Sequence, residues 1–183
     1  MDVFVVNKDF IISADNELLG YTGKDKEVVI PSGIVEIGAF VFCYCGSLES
    51  VVIPSTVKTI GEDAFNGCKN LKSIVMLDGL EVIENKAFFN CKSLENVIIP
   101  SSVKEIDSYA FSVCKSLESI AIPDSVEYLG NKVFANCASL ENVNISNKFM
   151  SIIGNVFYNC PNISNITFTK NKVKSRNIND DKR

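Results

Sequence analysis

The 183-residue chain contains no histidine. Without histidine, the Ser–His–Asp and Cys–His arrangements that carry most acyl-transfer chemistry cannot be built. The sequence also lacks a G-x-x-x-x-G-K-[ST] phosphate loop, a G-x-G-x-x-G turn after a strand and a recognisable pair of catalytic carboxylates. We therefore predict that the protein is not an enzyme, with no catalytic residue, no metal site and no cofactor.

Long apolar runs are missing as well. No stretch of about 18 apolar residues occurs, and the first ten residues lack the basic start and apolar core of a secretory signal. The sequence predicts no membrane insertion. Localisation stays open at this point, and would be cytoplasmic if the chain is complete.

Positive charge is scarce outside the C-terminus. The formal net charge is −4, but residues 169–183 hold six Lys or Arg against two Asp, which leaves the rest at about −8. An acidic body lacks the basic patch of a nucleic-acid groove, so we expect no nucleic-acid partner. We interpret the basic tail as a solvated end.

Internal repetition is what the sequence has in abundance. Residues 28–165 divide without gaps into six units of 23 residues, and positions below are counted within a unit. Position 15 is phenylalanine and position 18 is cysteine in every unit. Positions 1, 3, 7, 10, 14, 15, 18 and 21 are apolar in all six units, so these side chains are predicted to face inward.

The spacing of the apolar positions changes along each unit. One unit runs into the next as L-x-x-V-x-I-P, whose alternation predicts a short strand that stacks in parallel with the strands of neighbouring units. Four strands are followed directly by a proline, which ends the ladder. From position 7 onward, intervals of three and four predict a helical or 3₁₀ return leg. The predicted fold is an α/β solenoid in which each coil is stabilised by its neighbours.

The unit V-x-I-P-x-x-V-x-x-I-g-x-x-A-F-x-x-C-x-x-L resembles the BspA-like family of leucine-rich repeats over residues 28–165. The phenylalanine, the cysteine and the I-P corner carry the resemblance. It implies a right-handed stack with the parallel strands on the concave side, and an adhesion or protein-interaction role in a secreted or surface protein. Leu77 and Ser146 depart from the corner proline, and Glu84, Asp107 and Ile153 replace the glycine before the return leg.

Two flanks differ from the repeats. Residues 1–27 alternate in short runs around the turn signal Ala14-Asp15-Asn16, which predicts an N-terminal β-hairpin cap. Residues 166–183 begin a seventh strand at Ile166 and Phe168 and then continue as a polar, disordered tail. Since no further coil covers the sixth, we expect weak end-to-end self-association through the C-terminal coil, or further repeats in a longer protein.

The six cysteines at position 18 invite disulfide, metal or redox interpretations. Stacked coils repeat at about 4.8 Å, a separation that a disulfide tolerates. The position lies among core positions, however, where cysteine behaves as a small hydrophobe. We favour free buried thiols over adventitious disulfides and over metal, and expect Cys43, at position 16, to react most readily.

The strands should expose positions 22, 23 and 2 as three parallel rows, and two of these form our candidate partner-binding face. Its acidic row is Glu49, Lys72, Glu95, Glu118 and Glu141, and its apolar row is Val29, Val52, Val75, Ile98 and Ala121. An apolar row beside an acidic one is typical of a contact patch. The alternative is that β-branched side chains at position 2 only satisfy strand propensity.

Three functions remain open on these residues. The first is a non-enzymatic interaction or adhesion module whose concave sheet binds another protein, possibly of a host or a cell surface. The second is a structural spacer within a longer repeat array. The third is glycan binding, which ranks last because Tyr44, Phe89, Tyr109, Tyr128 and Tyr158 lie off the candidate face.

Overall fold

The structure, a computed structural model, describes residues 5–169. Each 23-residue unit forms one coil with a strand at its start and, in the first five coils, a second, two-residue strand at positions 9 and 10. Successive coils stack so that equal positions lie side by side; Val51, for example, pairs with Ile74. The predicted solenoid of parallel strands is confirmed.

Two sheets run along the stack. The strands are β1 (Val5–Asn7), β2 (Phe10–Ile12), β3 (Glu17–Tyr21), β4 (Glu27–Val29), β5 (Glu36–Ile37), β6 (Ser50–Ile53), β7 (Thr59–Ile60), β8 (Ser73–Met76), β9 (Val82–Ile83), β10 (Asn96–Val97), β11 (Glu105–Ile106), β12 (Ser119–Ala121), β13 (Tyr128–Leu129), β14 (Asn142–Ser146) and β15 (Asn165–Thr169). The first sheet contains seven strands, all parallel, in the order β15-β14-β12-β10-β8-β6-β4. The second contains eight strands, parallel and antiparallel, in the order β1-β2-β3-β5-β7-β9-β11-β13.

The core is a set of ladders of identical side chains. The six position-15 phenylalanines stack face to face from Phe42 to Phe157, with neighbouring ring centroids 4.8–5.4 Å apart. Phe65, Phe88, Phe111 and Phe134 are wholly buried. Because each of these four rings lies between two equivalent rings, the stability of one coil depends on both neighbours.

The predicted helical or 3₁₀ return legs are wrong for the first five coils. Only the sixth coil has them, as a 3₁₀ segment at Asn147–Ile152 and a one-turn helix α1 at Ile153–Val156. In the other coils the return leg is the second-sheet strand followed by a run of turns. Intervals of three and four in the apolar pattern arose from these turns and not from a helix.

Left-handed backbone at positions 13 and 17 explains why no helix forms. Position 13 has φ of +53° to +62° in the first five coils, and position 17 has φ of +56° to +73° in all six. A right-handed helix cannot continue through such residues. Five of these eleven sites hold residues that tolerate this conformation, Gly67, Asp63, Asn90, Asn136 and Asn159. The other six do not, so the sequence signal is incomplete.

The return leg satisfies its backbone groups partly between coils. The N–H groups at positions 15 and 17 donate to carbonyls at positions 14 and 16 of the next coil; Phe65 N donates to Ala87 O at 2.7 Å. The N–H at position 16 instead closes a turn within its own coil, as Asn66 N does with Asp63 O at 3.0 Å. Both sides of each coil are thus tied to the neighbours by main-chain hydrogen bonds.

The N-terminal strands extend the second sheet. Strands β1, β2 and β3 pair antiparallel, and β3 then pairs in parallel with β5 of the first coil. The Tyr21 ring lies 4.9 Å from the Phe42 ring, and Phe10 and Ile12 also pack against the core. The division at residue 27 stays a prediction, and the predicted disorder after Thr169 lies outside the described residues.

Candidate functional site

The exposed side of the seven-stranded sheet, called the sheet face below, carries positions 22, 23 and 2 of each coil. Positions 1 and 3 point into the core, and Ser73–Met76 shows the alternation, with Ile74 and Met76 buried and Ser73 and Val75 exposed. A period of two places alternate side chains on opposite sides of a sheet. The face is therefore built from the short segment around each coil junction.

The position-2 row is apolar and exposed along the first five coils. Ile98 is 80% exposed, Val29 66% and Val75 48%. Val52, in the same row, is half-buried. Ala121 is exposed, and the row then becomes polar at Asn144 and Thr167. Large apolar side chains in contact with water cluster along the N-terminal and central part of the face.

The position-22 row changes character along the stack. Glu49 accepts from Lys26 at 2.7 Å and from Lys72 at 3.1 Å, and these hydrogen bonds hold the pKa of Glu49 below its usual value. Sequence analysis missed Lys26, although it precedes Glu49 by one repeat length and belongs to the same row. Because the first repeat was counted from residue 28, Lys26 fell outside the repeats and was not assigned to the position-22 row.

The C-terminal half of the same row is acidic. Glu95, Glu118 and Glu141 follow one another on adjacent coils and are exposed. Within residues 5–169, no ion pair involves these three carboxylates. The sheet face is thus close to neutral over its first coils and negative over its last ones.

A shallow depression of about 260 Å³ lies on the C-terminal half of the face. Its sides are formed by small and polar residues of three neighbouring strands, including Ser119, Ala121, Asn142, Asn144 and Thr167. The small side chain of Ala121, in a row otherwise occupied by larger residues, leaves the space open. Its lining combines amides and hydroxyls with the apolar residues Ile120, Ala121 and Val143.

The cysteine ladder is explained by hydrogen bonding and packing. Each thiol from Cys68 to Cys160 donates to the main-chain oxygen of the position-15 phenylalanine one coil earlier, at 2.9–3.4 Å. Burial raises the pKa of Cys68 and of Cys114 to about 12. Cys45 and Cys160, at the ends of the ladder, are only partly buried, which the inward-facing prediction did not anticipate. Among the described residues, no cluster of three or more Cys, Asp or Glu side chains could hold a metal ion.

One carboxyl outside the sheet face is perturbed. Glu36 of β5 pairs with Glu17 of β3. Partial burial raises the pKa of Glu36, and the charges of Glu17 and Glu84 add to this effect. The arrangement costs stability at neutral pH, because ionisation of Glu36 is less favourable in the folded protein than in the unfolded chain.

The family described as BspA type leucine rich repeat region matches the chain in six copies, over residues 15–114 and 59–179. The chain belongs to this family. The resemblance inferred from the phenylalanine, the cysteine and the I-P corner is therefore confirmed. BspA-type repeats are generally non-catalytic, in agreement with the lack of a catalytic constellation in the sequence.

Solved structures of bacterial leucine-rich repeat proteins share the fold. The leucine-rich repeat protein TpLRR of T. pallidum is 32% identical with a TM-score of 0.76, over 93% of this chain and 80% of that one. A leucine-rich cell surface protein of Faecalibacterium prausnitzii is 26% identical with a TM-score of 0.72, over 90% and 50% of the two chains. A leucine-rich repeat protein of Bacteroides ovatus is 27% identical with a TM-score of 0.68, over 91% and 45%.

No curated protein matches the chain in sequence. Within the part of the chain that the structure describes, no helix is long and apolar enough to cross a membrane.

Proposed function

We propose that the protein is a non-enzymatic interaction module that binds another protein through the sheet face. The observation that carries the proposal is the row of exposed apolar side chains at position 2, above all Ile98 at 80% exposure. Contiguous apolar side chains on the surface of a soluble protein mark contact sites more often than isolated ones do. Strand propensity alone would be met equally by threonine, which takes over this row only at Thr167.

The dimensions of the row suit a short extended segment. Neighbouring strands lie about 4.8 Å apart, so the five coils from Val29 to Ala121 span about 19 Å. An extended peptide of about six residues covers this length. Apolar side chains of such a segment would contact Val75 and Ile98 at the centre of the row.

The charge along position 22 gives the bound segment a direction. At one end of the row, Glu49 forms ion pairs with Lys26 and Lys72. At the other end lie the exposed carboxylates Glu95, Glu118 and Glu141. A partner with basic residues next to an apolar segment matches this order, because like charges opposite the acidic end would be repelled. The partner is therefore proposed to be basic where it meets the last coils.

Site-specific photocrosslinking tests the proposal. A photoreactive side chain at Ile98 should capture a specific protein on cells or in secretions, and the same group at Val35 should not. Val35 is a matched control because it is also an exposed aliphatic residue, at 41%, but lies beside the second sheet. The captured protein is then purified and its affinity measured by calorimetry.

The charge variant Val75→Asp combined with Ile98→Asp should weaken that measured affinity by about 100-fold or more, since both centres of apolar contact are lost. Val35→Asp should leave it unchanged. Equal affinities for all three proteins would move the binding site off the sheet face and refute the proposal.

The spacer function is the second candidate, and one observation favours it. The chain covers only 50% and 45% of the Faecalibacterium prausnitzii and Bacteroides ovatus structures, so similar coils there form part of longer chains. Glycan binding remains third, since the exposed rings of Tyr44, Tyr128 and Tyr158 stand at positions 17, 9 and 16, away from the sheet face. With a relative described as a cell surface protein, we propose secretion or surface display for this chain.

A further inference from the structure

The last strand of the seven-stranded sheet is an open edge. Strand β15 pairs with β14 along five residues, and no described strand pairs with its other side. Ile166 is 40% exposed and Phe168 is 38% exposed, whereas the equivalent residues one coil earlier, Val143 and Ile145, are 3% and 0% exposed. The core-facing side chains of β15 therefore lack the neighbouring coil that buries their counterparts.

At the opposite end of the stack the core is covered, although β4 is itself an edge strand of the seven-stranded sheet. Val28 and Ile30 of the first coil are 4% and 1% exposed, and Phe10 and Tyr21 pack against the core. The apolar end of the molecule is the C-terminal one, where Met150 and Ile152 of the sixth return leg are also exposed. A copy that approached head to tail could pair its β15 with β4, but its exposed Ile166 and Phe168 would meet a first coil whose core side chains are already buried.

The hydrogen-bonding groups on the open edge belong to two residues. Position 3 of a coil directs its N–H toward the next coil, as Ile30 N does to Val52 O at 3.0 Å and Ile122 N does to Asn144 O at 2.8 Å. In a strand the outward direction alternates, so positions 1 and 3 share it. Ile166 and Phe168 thus present their N–H and C=O groups to the open side.

The residues that follow β15 in the sequence are mostly polar. The fourteen residues 170–183 contain two large apolar residues, Val173 and Ile178. Six of the fourteen are Lys or Arg. Their composition does not match the eight apolar positions that bury one coil against the next.

We propose that two copies of the chain join tail to tail by antiparallel pairing of β15 with the partner's β15. Pairing Ile166 with the partner's Phe168, and Phe168 with the partner's Ile166, uses all the open N–H and C=O groups of both strands. This register places a two-fold axis at Thr167. Moving the two-fold axis by one residue, to Ile166 or to Phe168, would pair that residue with itself and form two central hydrogen bonds where this register forms four.

The same register also joins the cores. A two-fold axis perpendicular to the sheet keeps Ile166 and Phe168 of both copies on one side, so the two apolar ends meet while both sheet faces point the other way. The strand pair and the two apolar side chains that each copy contributes make a small interface, so the dissociation constant is expected in the micromolar range or above.

Sedimentation velocity over a concentration series up to several hundred micromolar tests for the dimer. The parent chain should shift toward dimer as its concentration rises. Phe168→Asp should weaken dimerisation about tenfold or more, because it places a charge in the joint core. Ile98→Asp is the control, since it removes an exposed apolar residue far from the edge, and circular dichroism of each variant verifies folding.

A cysteine at the two-fold axis tests the register. Thr167 would face the partner's Thr167 as a non-hydrogen-bonded pair with Cα atoms about 4.5 Å apart, which suits a disulfide. Thr167→Cys should therefore form a covalent dimer under mild oxidation well above the level of the parent chain. Asn144→Cys, exposed at the same position one strand inward, should not.

Three outcomes would overturn the proposal. A parent chain that stays monomeric at every concentration would mean that the tail or the sixth coil covers the edge. Open-ended oligomers in which the Thr167→Cys variant forms no disulfide crosslink would mean head-to-tail stacking. Dimers that Phe168→Asp leaves intact while Ile98→Asp abolishes them would place the contact on the sheet face.

Discussion

The substitution Phe111→Ala examines the ring stack at its centre. Phe111 is wholly buried between the rings of Phe88, 5.1 Å away, and Phe134, 5.4 Å away. Removing the ring deletes two stacking contacts and leaves a cavity that coils tied together on both sides cannot close. Phenylalanine-to-alanine changes at such sites cost about 3–5 kcal/mol in free energy of unfolding, and we expect a value in the upper half of this range.

Position in the stack should modulate the cost. Phe157 has one stacked neighbour within the described residues and is 7% exposed, so Phe157→Ala should cost less than Phe111→Ala. Lys104→Ala, an exposed change at position 8, should stay within about 0.5 kcal/mol. Urea unfolding followed by circular dichroism gives all three values under the same conditions.

The width of the urea unfolding transition tests how strongly neighbouring coils are coupled. Because each coil contacts only its neighbours, weakening the middle of the stack should uncouple its halves and broaden the Phe111→Ala transition or split it in two. Equal costs for the phenylalanine and lysine variants would refute the assigned register. An unchanged transition width would refute the nearest-neighbour argument.

Titratable groups and backbone geometry give three further predictions. In the native protein Cys43 should react with a thiol reagent long before Cys68, whose buried thiol has a pKa of about 12, and all seven cysteines should titrate after denaturation. Glu36→Gln should raise the melting temperature at pH 7. Because the pKa of Glu36 is higher in the folded protein than in the unfolded chain, ionisation of this carboxyl opposes folding at neutral pH. The gain should vanish below about pH 4, where Glu36 is protonated in both states. Gly79→Ala should destabilise by about 2 kcal/mol or more, since φ is +135° and an added Cβ would collide with the Ser55 carbonyl.

The two substitutions have matched controls. Glu105→Gln, at position 9 like Glu36 but beside Val82 and Tyr128, should show no comparable rise at pH 7. Gly33→Ala shares a positive φ but would meet no atom within 4 Å, so its cost should be smaller than that of Gly79→Ala. Fewer than seven free thiols in unreduced, denatured protein would show that disulfides form.

The repeat and the parallel sheet could be predicted because they depend on side-chain burial. Position 3 is apolar in every coil. Because side chains alternate along a strand, this position is predicted to face the core and position 2 to face solvent, without use of the folded structure. The return leg could not be predicted this way. Lys86, Tyr109 and Val113 adopt left-handed backbone that their side chains do not favour, and the hydrogen bonds that hold them there come from the next coil.

The candidate face shows the same limit. The sequence indicates which residues point outward, but exposure within the row depends on neighbouring coils: Ile98 is 80% exposed and Val75 48%. The ion pairs of Glu49 with Lys26 and Lys72 could have been predicted from the 23-residue interval alone. The open edge at β15 needed the structure, since burial of Ile166 depends on what lies beyond it.

The direction of the strands relative to the stack determines how the molecule responds to tension. Every strand in the two sheets of the solenoid lies across the stack, so a pull on the two ends peels hydrogen bonds one after another instead of shearing a whole ladder at once. Each coil released would lengthen the chain by the contour of 23 residues, about 80 Å. Stretched between two anchoring points, the protein would yield at low force in equal steps and extend many times its folded length before the chain becomes taut.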